Sequence, residues 1–127
     1  MKGIPQISNS EWEVMKVLWA GARCTANEVV EALAGTTAWQ PKTIRTLINR
    51  LVNKGAAGYE IEGKDKKTYY YFATVAEKDC IRSESQMFLK RVFSGSSNRM
   101  LANFFQECDL TPEDIEELKR ILDKKKG

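Results

Sequence analysis

The chain has 127 residues, 43% hydrophobic and 29% charged, which suits one ordinary domain or a compact domain with an appendage and excludes a disordered chain. No apolar run approaches the roughly 18 residues of a membrane span, and the first residues lack a signal peptide's apolar stretch. We therefore expect a cytoplasmic protein without membrane insertion. Histidine is absent and the three cysteines form no closely spaced pair. This composition predicts no enzyme activity, no metal site and no cofactor, with the cysteines as buried thiols.

The positive charge of the chain is unevenly distributed. The formal net charge is +3, and the whole excess lies in residues 1–75, where ten Lys and Arg face seven Asp and Glu. No acidic residue lies between Glu31 and Glu60. The basic residues of that stretch are Lys42, Arg45, Arg50 and Lys54. Such a basic strip is typical of nucleic-acid-binding proteins, although a solvated helix face would give the same charge.

Start and stop signals predict two helices at the beginning of the chain. A capping box at Ser8–Glu11 opens the first helix, which ends at Gly21. A second capping box at Thr25–Glu28 opens a short helix that ends at Gly35. The residues between them, 22–24, leave room for one short strand.

A third helix, from Pro41 to Lys54, is the most informative segment. Apolar residues recur at helical spacing and predict one buried stripe of Ile44, Leu47, Ile48, Leu51 and Val52. The opposite face collects basic, amide and hydroxyl side chains: Lys42, Thr43, Arg45, Thr46, Asn49 and Arg50. These side chains hydrogen-bond base edges and phosphates, and the face lacks the acidic residues that a solvated helix usually mixes in. The face is predicted to bind DNA.

A β-hairpin is predicted after the third helix, because the apolar period changes to two beyond Gly55. Residues 57–62 and 67–72 form the strands, whose tyrosines are expected to pack in the sheet rather than stack on bases. Lysines at the intervening turn are predicted to contact phosphates: Lys64, Lys66 and Lys67. Three helices and a hairpin follow the order of a winged helix-turn-helix, so residues 1–75 are predicted to be a winged helix DNA-binding domain.

Residues 76–127 are predicted to be a helical dimerisation domain with three helices. Their large apolar residues are too numerous to stay exposed, yet three short helices are too few for a stable domain. The spacing of Phe104 and Phe105 predicts buried side chains. A second copy of the chain would cover this surface, and packing onto the winged helix is the alternative. The predicted dimer core contains Phe88, Val92, Leu118 and Leu122. The predicted fold is thus mainly α with a small β-hairpin, a winged helix-turn-helix followed by an α-helical dimerisation region.

Short strings along the chain form a recognisable set: EWEVM at 11–15, ANE at 26–28, WQPKTIRTL at 39–47, MLANF at 100–104 and EDIEEL at 113–118. This set resembles the penicillinase repressor family, known as BlaI/MecI, over nearly the whole chain. The string at 39–47 is the most specific, and the C-terminal strings match more loosely.

The resemblance implies a dimeric winged-helix repressor of a β-lactam-resistance operon, with a double-stranded DNA operator as its partner. It places four residues at the family's operator-reading positions: Lys42, Thr43, Arg45 and Thr46. It also implies cleavage between Asn103 and Phe104, triggered by a membrane-bound sensor protease when antibiotic is present, with loss of the dimer.

Two other functions are compatible with the sequence. One is a ligand-responsive winged-helix regulator of an unrelated operon, and the other is a winged helix used for protein–protein contacts. A DNA-binding protein should show weak, salt-sensitive affinity for any duplex, whereas a protein-binding module should not. The operon, the operator sequence and the choice between proteolysis and ligand binding stay open at this point.

Overall fold

The computed structural model describes residues 3–64 and 67–127. Their helices and strands are, in chain order, α1 (Asn9–Gly21), α2 (Ala26–Ala34), α3 (Pro41–Lys54), β1 (Ala57–Glu62), β2 (Thr68–Ala73), α4 (Glu77–Phe93), α5 (Ser97–Glu107) and α6 (Pro112–Lys126). This mainly helical architecture with one hairpin confirms the predicted fold class. The chain divides into two compact units, one up to Ser83 and one from Glu84. The first unit extends past the domain boundary expected at residue 75, because α4 places Cys80 in its core.

The capping boxes predicted for α1 and α2 are both present. The Ser8 hydroxyl accepts a hydrogen bond from the backbone N–H of Glu11 at 3.2 Å, and the Glu11 carboxylate accepts from that of Ser8 at 2.9 Å. Thr25 and Glu28 make the equivalent pair at 3.1 and 2.8 Å. Each box satisfies two backbone donors that the first helical turn leaves unpaired. The local sequence alone therefore fixes where α1 and α2 begin.

The core of the first unit lies where α1, α2, α3 and the hairpin meet. Four positions of the predicted α3 stripe are buried, and Val52 is half-buried. They pack with apolar residues of α1 and α2: Val14, Met15, Leu18, Val29 and Leu33. Removing this much apolar area from water is the main source of stability. Helix α3 is thus held by one face, and its other face remains in solvent.

The hairpin is antiparallel, with Ala57 opposite Ala73, Tyr59 opposite Tyr71 and Ile61 opposite Tyr69. Ala57 is buried and Tyr71 half-buried, whereas Tyr59, Ile61 and Tyr69 towards the turn are exposed. The predicted packing of the tyrosines is present, since the ring centroids of Tyr59 and Tyr69 lie 5.0 Å apart. One face of the hairpin therefore runs continuously from the core out to solvent.

The short strand expected at residues 22–24 is a single backbone bridge. The Cys24 N–H donates to the Tyr71 carbonyl at 2.9 Å, and the Tyr71 N–H donates to the Cys24 carbonyl at 2.7 Å. Just before it, the Arg23 N–H donates to the Gly21 carbonyl at 2.7 Å, across Ala22 with φ 63° and ψ −64°. This is a γ-turn with positive φ, a strained conformation for alanine. It directs the chain from α1 into the bridge.

The second unit contains the end of α4 together with α5 and α6. A capping box of Thr111 and Asp114 opens α6. The rings of Phe88, Phe93 and Phe104 form a small cluster, with centroids 5.9–6.3 Å apart. Yet no residue from 84 to 127 is buried. Its exposed large apolar residues are Met87, Val92, Leu101, Phe104, Phe105, Ile115, Ile121 and Leu122.

Two expectations, for Phe104 and Phe105 and for the cysteines, are corrected by these observations. Phe104 and Phe105 are 37% and 41% exposed, not buried, because within one chain no second apolar layer covers them. Cys24 and Cys80 are buried, and burial raises the pKa of both thiols, but Cys108 is exposed. No helix in the described ranges is long and apolar enough to cross a membrane.

Candidate nucleic-acid interface

The exposed face of α3 is the predicted DNA-binding face. All six of its predicted residues are exposed, and we call them the reading face: Lys42, Thr43, Arg45, Thr46, Asn49 and Arg50. They extend over about 12 Å of helix, a length suited to insertion into the major groove of DNA. Helix α3 has no acidic residue, so nothing on the helix itself repels a phosphate. The structure thus brings together all the α3 residues that the sequence singled out.

Thr46 can offer a DNA partner only a methyl group and a hydrogen-bond acceptor. Its hydroxyl donates a hydrogen bond to the Lys42 carbonyl one turn earlier, at 3.0 Å. The hydroxyl proton is therefore used within the helix. What remains outward is a methyl group and an oxygen that can accept. Those groups suit the methyl of thymine or the amino group of adenine or cytosine.

Arg45 is held by a residue from the beginning of α2. Its Nη2 donates a hydrogen bond to Oδ1 of Asn27, and both side chains are exposed. Arg45 also acts electrostatically on the hairpin: burial and the neighbouring Tyr69 and Tyr59 raise the pKa of Tyr71, while the Arg45 cation opposes the rise. The guanidinium is therefore held at the start of α2, where its charge still acts on Tyr71 of the hairpin.

Two of the three lysines predicted to bind phosphate lie at the hairpin turn among the described residues. Lys64 and Lys67 are exposed on either side of the turn, and Gly63, with φ 110°, lies in a conformation that favours glycine. Lys66 lies outside the described residues. The lysines stand beyond Tyr59 and Tyr69, so this edge combines positive charge with aromatic surface.

On the other face of the hairpin, Arg23 is paired with acidic residues. Its guanidinium lies 3.1 Å from the Glu60 carboxylate and 3.0 Å from that of Glu62, and 5.1 Å above the Tyr70 ring. These contacts are half-exposed, so each adds little to stability. Their consequence is electrostatic, because the Arg23 cation offsets one of the two negative charges that would otherwise repel a phosphate backbone.

Lys54 of the basic strip is not available to DNA in the way its sequence position suggests. Its ammonium donates to the Glu11 carboxylate and, at 2.8 Å, to the Gln6 carbonyl. Burial raises the pKa of the Glu11 carboxyl, but hydrogen bonds from Lys54 and Ser8 outweigh that effect and hold the pKa below its usual value. Lys54 therefore ties the end of α3 to the start of α1.

A family model described as penicillinase repressor matches residues 7–124. The chain belongs to the penicillinase repressor family. The penicillinase repressor of Bacillus licheniformis is 42% identical over 127 residues, covering 100% of this chain and 97% of that protein. The methicillin resistance regulatory protein MecI of Staphylococcus aureus is 40% identical over 120 residues, covering 94% and 95%.

Solved structures agree with this membership in the penicillinase repressor family. The Bacillus licheniformis BlaI monomeric form in complex with the blaP half-operator superposes with a TM-score of 0.53 at 44% identity, covering 62% of this chain and 93% of that one. A mutant MarR from E. coli superposes with a TM-score of 0.52 at 17% identity, covering 96% and 79%. The second likeness concerns the fold alone and confirms the winged-helix architecture.

The predicted dimer residues of this family member lie in the second unit. Phe88 and Leu118 are half-buried, whereas Val92 and Leu122 are 46% and 48% exposed. Leu118 and Leu122 line an open apolar groove of about 250 Å³ with Phe105, Leu110, Ile115 and Lys119. Val92, Leu118 and Leu122, the aliphatic residues of the predicted dimer core, are thus accessible at the surface of a single chain.

The predicted cleavage residues, Asn103 and Phe104, lie in the middle of α5 and are exposed. Phe104 stacks on Phe88 with ring centroids 6.1 Å apart. The peptide bond between Asn103 and Phe104 is therefore helical, although its side chains are accessible in the single chain.

Proposed function

We propose that this chain is a dimeric repressor that binds a two-fold operator of a β-lactam-resistance-type operon and is inactivated by proteolysis in residues 76–127. The observation that carries the DNA-binding part is the reading face: six exposed residues with no acid among them, on a unit similar to one solved on a half-operator. Because the operator that it would bind is cytoplasmic DNA, the chain is proposed to act in the cytoplasm.

The reading face accounts for both affinity and selectivity in this proposal. Helix α3 enters the major groove, where Arg45 and Asn49 suit guanine and adenine edges, respectively. Lys42 and Arg50 contact phosphates, and Lys64 contacts the backbone beside the groove. Footprinting on the DNA that flanks the protein's own gene tests operator binding. Protection of a two-fold site is expected, and no protection anywhere in that DNA would contradict the proposal.

The apolar surface of the second unit supports dimerisation. Eight large apolar side chains of this unit, on α4, α5 and α6, are exposed in the single chain, and exposed apolar patches are typical of protein–protein interfaces. A second copy would bury them, and the two reading faces would then bind half-sites about 34–36 Å apart or a multiple of that distance. Because the second half-site binds within the same complex, the dimer gains affinity without any new base contact.

Arg45→Ala and Lys64→Ala are expected to weaken DNA binding in different ways. Loss of a bidentate base contact at Arg45 should cost roughly 1–3 kcal/mol on the operator and relax the preference at one base pair per half-site. Loss of the Lys64 phosphate contact should weaken all duplexes alike and reduce the salt dependence. Binding titrations on operator and random duplexes at several salt concentrations measure both effects. If neither variant changed DNA binding, the assignment of this face would be wrong and protein–protein contact would be favoured.

Cleavage between Asn103 and Phe104 is expected to require local opening of α5. A protease binds an extended segment, and this bond is helical in the folded chain. The cut would detach α6, with Leu118 and Leu122, from the rest of the chain. Coexpression with the cognate sensor, addition of a β-lactam and measurement of fragment masses test this step. An intact chain under conditions that derepress the operon would contradict proteolysis and favour a ligand-responsive regulator.

A further inference from the structure

The reading face is supported at Arg45 by a side chain from a different helix. Asn27 is the second residue of α2, and its amide oxygen accepts a hydrogen bond from Nη2 of Arg45. An exposed arginine ordinarily samples many rotamers, and ordering it on binding costs entropy. A guanidinium already held in the unbound protein loses less of that freedom when DNA arrives.

The contact leaves the base-reading capacity of Arg45 intact. A guanidinium has five N–H donors in one plane, and the bond to Asn27 uses one of them. The others can still make two parallel hydrogen bonds to a guanine edge. Arg23 in the same unit differs from Arg45, because its guanidinium forms ion pairs with the carboxylates of Glu60 and Glu62. An uncharged amide orients Arg45 without neutralising it.

We propose that Asn27 is a positioning residue for operator recognition, which orients the Arg45 guanidinium towards the base edge that it reads. The inference rests on the proposed DNA-binding function. Asn27 is outside α3, so its influence on the choice of base pair passes through Arg45. It should therefore affect the same base pair as Arg45 and no other.

A purely structural role for the hydrogen bond predicts different behaviour. Helices α2 and α3 already share the core through Val29, Leu33, Ile44 and Leu47. A hydrogen bond between two exposed side chains adds little to that packing, because both groups bind water equally well when it is broken. Loss of Asn27 should thus leave the melting temperature unchanged, while the selectivity of DNA binding falls.

The experiment is a double-mutant cycle on the full-length protein. Dissociation constants are measured for Asn27→Ala, Arg45→Ala and the double variant on three duplexes: the footprinted operator, the operator altered at the base pair where Arg45→Ala relaxes preference, and a random sequence. Asn9→Ala is the matched control, since it removes the same exposed amide from the first turn of α1. Asn27→Ala is expected to weaken operator binding about threefold to tenfold, with the random duplex unaffected.

In the Arg45→Ala background, Asn27→Ala is expected to have no further effect. An unchanged operator affinity for Asn27→Ala, an equal loss on the random duplex, or additive effects of the two substitutions would each overturn the inference. A wild-type protein that binds no duplex would overturn the proposed function as well. Wild-type selectivity with a silent Asn27→Ala would overturn this inference alone.

Discussion

Lys54→Ala is expected to lower the free energy of unfolding by about 3 kcal/mol at neutral pH. Glu11 keeps only 3% of its side chain exposed, and without Lys54 its carboxylate would be buried with no cation. Removing one partner of a buried ion pair costs roughly 3–5 kcal/mol. The lower end applies here, because a third of the Lys54 side chain already lies in water. Urea denaturation at fixed protein concentration measures the change.

The same pair gives the unfolding free energy a defined pH dependence. Since the pKa of Glu11 in the folded protein lies below its usual value of 4.5, the pair stabilises the fold above that pH. The stabilisation is lost as the pH falls through the folded pKa. In Lys54→Ala, burial still raises the pKa of Glu11, but the Lys54 contacts that lower it are gone. The carboxyl of Glu11 therefore accepts a proton more readily. The difference in stability between the variant and the wild type is therefore expected to shrink below pH 4.5.

Lys16→Ala is the matched control for Lys54→Ala. Lys16 pairs with Glu13 at 3.1 Å, but the two side chains are 56% and 37% exposed. Because both side chains are exposed, removing this surface pair should change the unfolding free energy by no more than about 0.5 kcal/mol. Equal losses for Lys16→Ala and Lys54→Ala would show that the Glu11 site is not the source of the effect.

Leu122→Asp is expected to convert the dimer to a monomer and to weaken binding to the full operator about 100-fold or more. Leu122 is half-exposed in the single chain, so the substitution spares the fold but places a charge in the proposed interface. The loss in DNA binding follows from the loss of the linked second half-site. Affinity for an isolated half-site should stay unchanged. Sedimentation and titrations on full and half operators measure both quantities.

Arg120→Asp tests whether any new acid on α6 has the same effect. Arg120 is exposed and lies two residues before Leu122, so it points to the opposite side of the helix. It should leave the dimer and operator binding close to wild type. A monomeric wild-type protein at micromolar concentration, or a Leu122→Asp variant that remains dimeric, would contradict the proposed interface.

The elements that sequence analysis predicted depend on neighbouring residues. The capping boxes at Ser8 and Thr25 involve residues three apart, and the buried stripe of α3 follows from helical spacing. The exposure of the reading face follows from that stripe, since a helix buried along one side must expose the other. Local rules were therefore sufficient for the fold of the first unit and for the α3 part of the site.

The contacts that sequence analysis missed join residues far apart in the chain. Local spacing identifies Glu11 as a cap and places Lys54 in a basic strip, but their pairing across 43 residues depends on how α1 and α3 pack. Asn27 and Arg45 are 18 residues apart on different helices. The ANE string did mark Asn27 as a matching position, but only tertiary structure shows which side chain it meets.

The backbone bridge between Cys24 and Tyr71 has a consequence for how the protein tolerates different DNA shapes. Because Tyr71 is fixed to the link between α1 and α2, and Ala57 is buried at the base of β1, the hairpin root and α3 share one rigid frame. If the DNA groove is too wide or too narrow, the protein cannot adapt by rotating the root of the hairpin relative to α3. The DNA must then deform, and stiff steps resist deformation more than flexible ones. Base pairs that no side chain touches would therefore influence operator strength through their bending energy.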